Sequence, residues 1–260
     1  QILHRHGDGS LTIFASGFAT GPHGLEIVGD TVYCCDGGHL KGYVVSTGTS
    51  VFDANFNATF LNGITHDNNG NIFVAGSYEH SINVGGTNLS TANFYSESFF
   101  AKYDNSGNVT WAKTTTGNNA NLITGVAFDH HQSLCLTGYF GASFSIDNNN
   151  VNSVSASYDI FLAKVETADG SVDWLKRAGS TYEDAANGVC CDADGFPSFV
   201  GYFAGTAYFD NHSVTYIDYN DIFVARYDTA GNNLWVHANL VFIVPFTICA
   251  IRRFKNKNHS

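Results

Sequence analysis

The side chains best placed to handle a polar ligand share one sequence context. His23, Asn62, Thr124 and Asn187 each stand directly before a glycine, and Glu26 lies just beyond His23. One imidazole, two amides and a hydroxyl form a ligand-binding set to which Glu26 adds a carboxylate. A His and a Glu brought to the same face of a strand would also make an acid/base or metal pair. The competing reading is structural, because Asn before Gly is an ordinary turn element.

A second group is acidic. Asp67, Asp129 and Asp192 follow the same glycines by four residues, with His66, His130 and His131 beside them. Together they would attract a cation, yet each Asp also opens a turn. The loops starting at Asp67, Asp104, Asp192 and Asp228 resemble the opening of a calcium loop, so Ca²⁺ is the one cofactor they suggest. An EF-hand needs a bidentate Glu at its twelfth position, and none is placed there. The plainer expectation is hairpin turns in which Asp bonds its own backbone, with no cofactor. Catalytic triads, phosphate loops and helical metal motifs are absent, and Gly85-Gly86 has no helical pattern after it.

The elements that position these residues repeat. Gly63, Gly125 and Gly188 are spaced by 62 and 63 residues. Each is followed by a strand ending in Gly and aromatics, as in Ile72-Phe73-Val74-Ala75-Gly76-Ser77-Tyr78. An Asn/Ser/Gly-rich excursion leads to Phe99-Phe100-Ala101-Lys102, Ile160-Phe161-Leu162-Ala163-Lys164 or Ile222-Phe223-Val224-Ala225-Arg226. A turn containing Gly107, Gly170 or Gly231 then opens a strand bearing Trp111, Trp174 or Trp235, the only three tryptophans of the chain. Their recurrence at one position argues for filling the gap between neighbouring units rather than for stacking on sugars.

Four short strands repeated at a fixed period describe antiparallel propeller blades, which bury both faces by stacking around an axis. The fold class is therefore all-β, a β-propeller of four-stranded antiparallel blades. The divisions expected are a half blade at 1–17, a short blade at 18–60 and long blades at 61–120, 121–182 and 183–239. That makes about four and a half blades, part of a propeller. Residues 240–260 form a hydrophobic and basic tail, read as a last strand, a membrane-interacting end too short to span, or the product of an incomplete reading frame.

The units around Asp159-Ile160-Phe161-Leu162-Ala163-Lys164, Trp174, Asn187-Gly188-Val189 and Gly201-Tyr202-Phe203 resemble the SBBP-type β-propeller repeats of bacterial secreted proteins over residues 62–238. The stretch from Gly21-Pro22-His23-Gly24 to residue 78 is similar to NHL, SMP-30-like and streptogramin-lyase-like propellers. With its residues spent on blade architecture, the chain is expected to be a non-enzymatic, monomeric binding or structural module whose partner is a protein or a glycan, and the first resemblance implies a secreted or cell-surface location. The second implies, as the alternative, a metal-dependent lyase or lactonase using His23, Glu26, Asn62 and His66.

Composition narrows the partners. The net charge is −11, and setting aside the four cations of residues 252–257 leaves eight against 23 acids, or −15. Such a surface repels nucleic acid and anionic lipid. No segment reads as long enough for a membrane span, and none reads as a signal peptide. With no methionine and Gln1 first, the chain reads as a fragment or a processed product. The six cysteines, in the pairs Cys34-Cys35 and Cys190-Cys191 and singly at Cys135 and Cys249, lack metal-ligand spacing and read as small buried residues.

Overall fold

A computed structural model describes residues 2–5, 11–16, 18, 22–91, 94–155, 157–216 and 220–238. The tail, with Cys249, lies outside the described residues. Every regular element among the described residues is a strand, and every strand pairing is antiparallel. No helix among them is long and apolar enough to cross a membrane. The chain divides into two compact units, Gln1–Thr116 and Gly117–Ser260.

In the first unit β1 (Ile2–Arg5) and β2 (Leu11–Ala15) form a ribbon. A four-stranded blade follows in the order β3 (Pro22–Val28), β4 (Thr31–Asp36), β5 (His39–Val44) and β6 (Ser50–Asn55). The next blade begins with β7 (Phe60–His66) and β8 (Ile72–Tyr78). A hairpin of β9 (Ser81–Val84) and β10 (Thr87–Ser90) interrupts it before β11 (Glu97–Tyr103) and β12 (Val109–Gly117) continue the sheet. The variable excursion is thus a hairpin. Between the two blades Cys35, Leu40 and Phe56 pack on Leu61, Ile64, Val74, Tyr78, Phe99 and Tyr103.

The second unit repeats the plan with β13 (Asn121–Phe128), β14 (Ser133–Gly141), the hairpin β15 (Ser143–Ile146) and β16 (Asn149–Asn152), β17 (Tyr158–Glu166) and β18 (Val172–Gly179). Its last blade comprises β19 (Ala185–Cys191), β20 (Pro197–Phe203), β23 (Asp221–Tyr227) and β24 (Asn233–Ala238). The hairpin β21 (Thr206–Phe209) and β22 (His212–Thr215) lies between β20 and β23 in sequence. That hairpin joins the edge of the preceding sheet, with Ala178 opposite Phe209 and Gly179 opposite Tyr208. Sequence spacing showed the length of the excursion but not its destination, because pairing at a distant edge leaves no local periodicity.

After two of the tight turns the strand packs its aromatic residue against the next blade. Trp174 donates Nε1–H to Thr229 O at 3.0 Å, and a side chain on Gly231 would meet its ring at 2.9 Å. Phe52 occupies the same place in the first unit, 3.0 Å from where a Gly107 Cβ would stand. Both glycines sit at positive φ, +84° and +81°, which the turn requires. Trp111 instead packs on Phe73 and Phe100 of its own blade, and Trp235 on His237.

Candidate functional site

The residues before the repeat glycines sit inside the innermost strands, not at their entry. The register slips between Leu61 and Gly63, between Ile123 and Gly125, and between Ala186 and Gly188, so Asn62, Thr124 and Asn187 are each the extra residue of a β-bulge. His23 falls within the same slip, between Pro22 and Leu25. A bulge re-aims one side chain out of the ladder. Opposite three of these bulges stand the second-strand glycines. A Cβ on Gly76, Gly138 or Gly201 would lie 2.4, 1.8 or 2.0 Å from the carbonyl oxygen of Phe60, Leu122 or Ala185. The two glycine signatures of the repeat are therefore two sides of one backbone feature.

Each bulge residue has its own environment. His23 is exposed, its ring edge-on to Phe60 at 6.0 Å. Asn62 is half-buried and Asn187 exposed. Thr124 donates Oγ1–H to Ala186 O at 2.7 Å, a bond to the inner strand of the neighbouring blade, and lies 3.2 Å from Thr137 O. Close approach of those inner strands depends on glycine, since a Cβ on Gly125 would stand 3.0 Å from Gly188 Cα. His23, Glu26 and Asn62 belong to the first unit, Thr124 and Asn187 to the second.

Glu26 does not pair with His23. Its Oε1 lies 2.6 Å from Nδ1 of His66, across the gap between β3 and β7, with both side chains partly exposed. A carboxylate on one ring nitrogen orients the imidazole and leaves Nε2 as the chemically active atom.

The acidic set is engaged at its own turns. Asp67 Oδ1 accepts the amides of Asn69 and Asn71, both at 2.9 Å, and its Oδ2 accepts Asn71 Nδ2–H at 2.7 Å. Asp104 and Asp228 hold their turns likewise; desolvation is the largest single influence on Asp228 and pulls its carboxyl up, but the turn hydrogen bonds together keep both carboxyls below the usual range. In the second unit the Lys or Arg of the third strand adds a counter-charge. Lys164 Nζ lies 3.2 Å from Asp129 Oδ2, an ion pair without an aligned hydrogen bond, and Arg226 pairs with Asp192 Oδ2. Sequence reasoning missed this pairing, though Lys164 and Arg226 recur at one repeat position. His131 reaches Ala193 O at 3.1 Å, and the His130 ring lies against Phe128. No group of three or more His, Cys, Asp or Glu able to hold a metal occurs among the described residues.

Five cysteines are described, all as free thiols. Burial pushes Cys34 up to about 11 and Cys35 up to about 12. Cys135 and Cys191 pack with Ala127, and a thiol–thiol hydrogen bond together with burial raises Cys191.

With this geometry in hand, comparison with known proteins gives three findings. Residues 54–77, from the end of β6 through most of β8, match the model of the SBBP beta-propeller repeat. The chain carries a β-propeller repeat and folds into propeller-like, antiparallel blades. It is 31% identical over 142 residues to an uncharacterized WD repeat-containing protein, L264, of Acanthamoeba polyphaga mimivirus. That match covers 50% of this chain and 10% of the viral protein, so the chain spans about a tenth of the relative's length. Among solved structures, the Pan2 WD40 domain of Neurospora crassa is similar with a TM-score of 0.38 and 8% identity, over 79% of this chain and 63% of that one.

Proposed function

We propose that the chain is a non-enzymatic binding module, secreted or displayed at the cell surface of a bacterium, whose partner is a protein or a glycan. The observation that carries this reading is the commitment of the turn carboxylates: Asp67, Asp129 and Asp192 serve backbone amides and, in the second unit, basic side chains of their own blade. The ligand contacts of this reading are the bulge residues His23 and Asn62 in one unit and Thr124 and Asn187 in the other, of which His23 and Asn187 are exposed. The acidic surface favours a neutral or basic partner and disfavours nucleic acid. Arrays of glycans and of extracellular proteins, probed with the labelled chain, test the reading. Saturable binding to one class is expected, and binding to neither would overturn it.

One observation favours a second reading, a metal-dependent lyase or lactonase: the Glu26–His66 pair, with His23 and Asn62 on the same two strands. Thermal melts with Ca²⁺, Mg²⁺ and Zn²⁺ separate the two. A rise in Tm that Glu26→Gln abolishes supports the enzyme, and no rise with any ion counts against it.

A further inference from the structure

The two units treat their hairpins differently. In the second, β21 closes onto the end of β18 at Ala178 and Gly179. In the first, β6 ends two residues earlier in repeat register. Asn55 Oδ1 accepts the Asn57 amide at 2.8 Å, Asn57 turns to φ +52°, and the bulky Phe56 stands where the second unit has Ala178. The hairpin β9–β10 remains a two-stranded sheet of its own. A cleft of about 460 Å³ results between β6, the hairpin tip and the β11–β12 turn.

None of the residues lining the cleft is charged, although the chain carries a net charge of −11. Its polar side chains are the amides of Asn55, Asn83 and Asn108, and Phe52, Phe56 and Tyr103 supply its aromatic surface. Each amide is anchored on one side. Asn55 Oδ1 takes the Asn57 amide, leaving Nδ2. Asn83 Oδ1 takes Gly86 N–H while its Nδ2 gives one hydrogen to Asn88, leaving the other. Asn108 Nδ2 donates to Asp104, leaving Oδ1. Anchored amides with a remaining donor or acceptor are preorganised for hydroxyl groups, and an aromatic ring offers an apolar face to C–H groups. A strand-like peptide fits less well, because the backbone pairing used at this edge in the second unit is closed here by Phe56 and the left-handed Asn57.

We propose that this cleft binds a neutral saccharide of one or two sugar units. The proposal rests on the reading of the chain as a binding module and places the contact at the outer strands, away from the bulge residues. Calorimetric titration of the full chain with cellobiose, lactose and N,N′-diacetylchitobiose tests it. Saturable binding by at least one disaccharide is expected, with Asn55→Leu and Asn108→Leu each weakening it about fivefold or more, the effect of one lost hydrogen bond. Both residues are exposed, so circular dichroism should confirm an unchanged fold. Trp174→Phe, in the other unit, should leave binding unchanged. Failure of all three disaccharides to bind overturns the proposal, as does displacement of a bound sugar by the uncharged peptide acetyl-Thr-Ala-Tyr-Phe-amide, which would assign the cleft to peptides. Array binding that survives Asn55→Leu and Asn108→Leu but is lost in His23→Ala or Asn62→Ala would overturn this site while leaving the binding-module reading intact.

Discussion

His66 Nδ1 lies 2.6 Å from Glu26 Oε1, joining the innermost strands of two neighbouring blades. In repeat register the same two positions of the second unit are Ala127 and Cys191, which share an apolar cluster. The pair thus replaces an apolar contact with a partly solvated polar one, 36% and 26% exposed. Exposed pairs of this kind contribute about 0–1 kcal/mol. A double-mutant cycle of Glu26→Gln and His66→Phe, read by urea unfolding, should give a coupling below about 1 kcal/mol. A coupling of several kcal/mol would mean the pair is chiefly structural and would weaken its claim to chemistry.

Asp184 should titrate near pH 6. Its carboxyl is fully buried, and desolvation pushes it up to about 6 although the amides of Ser180 and Ala204 donate to it at 2.5 and 3.0 Å. The unfolded chain releases this proton near pH 3.9. Between those values the folded state holds the proton more tightly, so the contribution of Asp184 is greatest below the unfolded pKa and is lost as pH rises through about 6. Carboxyl ¹³C shifts should show that midpoint. The stability deficit of Asp184→Asn should also shrink between pH 4.5 and 7, and a deficit that grows would contradict the assignment.

The blade plan was legible because it is local and periodic. Strand residues alternate, glycines mark turns, and Trp111, Trp174 and Trp235 fall on one repeat position. The bulges at Asn62, Thr124 and Asn187 were half legible: the polar residue before Gly was visible, but the reason for it lies in the glycines opposite, Gly76, Gly138 and Gly201. The Glu26–His66 pair was not paired in the sequence, since its members are 40 residues apart and only blade stacking brings them together. The cleft beside β6 escaped for the same reason. It exists because Phe56 replaces a small residue at an edge, which no single repeat reveals.

Removing the Asp67 carboxylate should destabilise the first unit without any involvement of calcium. Asp67 is 5% exposed and accepts three hydrogen bonds within its own turn. Asp67→Ala leaves two backbone amides without their acceptor, at a cost of about 1–3 kcal/mol. Asp67→Asn, which keeps one acceptor oxygen, should lose less. Millimolar Ca²⁺ should leave the melting temperature of the wild-type chain unchanged, because the carboxylate already faces donors. A calcium-dependent rise lost in Asp67→Ala would instead establish a cation site at this turn.

The bulges should prove harder to alter through the glycine than through the bulged residue. Gly201→Ala places a methyl 2.0 Å from Ala185 O and 2.7 Å from Ala186 Cα, both backbone atoms that cannot turn aside. The sheet must then lose the bulge or its pairing with β19, so Gly201→Ala should cost more than about 3 kcal/mol or yield no soluble protein. Thr124→Val keeps shape and removes the hydroxyl that donates to Ala186 O and lies against Thr137 O, for which about 1–2 kcal/mol is expected. Asn187→Ala, at an exposed bulge, should fall within about 0.5 kcal/mol of the parent. Urea midpoints measured in that order rank backbone against side chain. If Asn187→Ala were as damaging as Gly201→Ala, the bulge would be held by its side chain, and the inner-strand residues would be structural rather than available to a ligand.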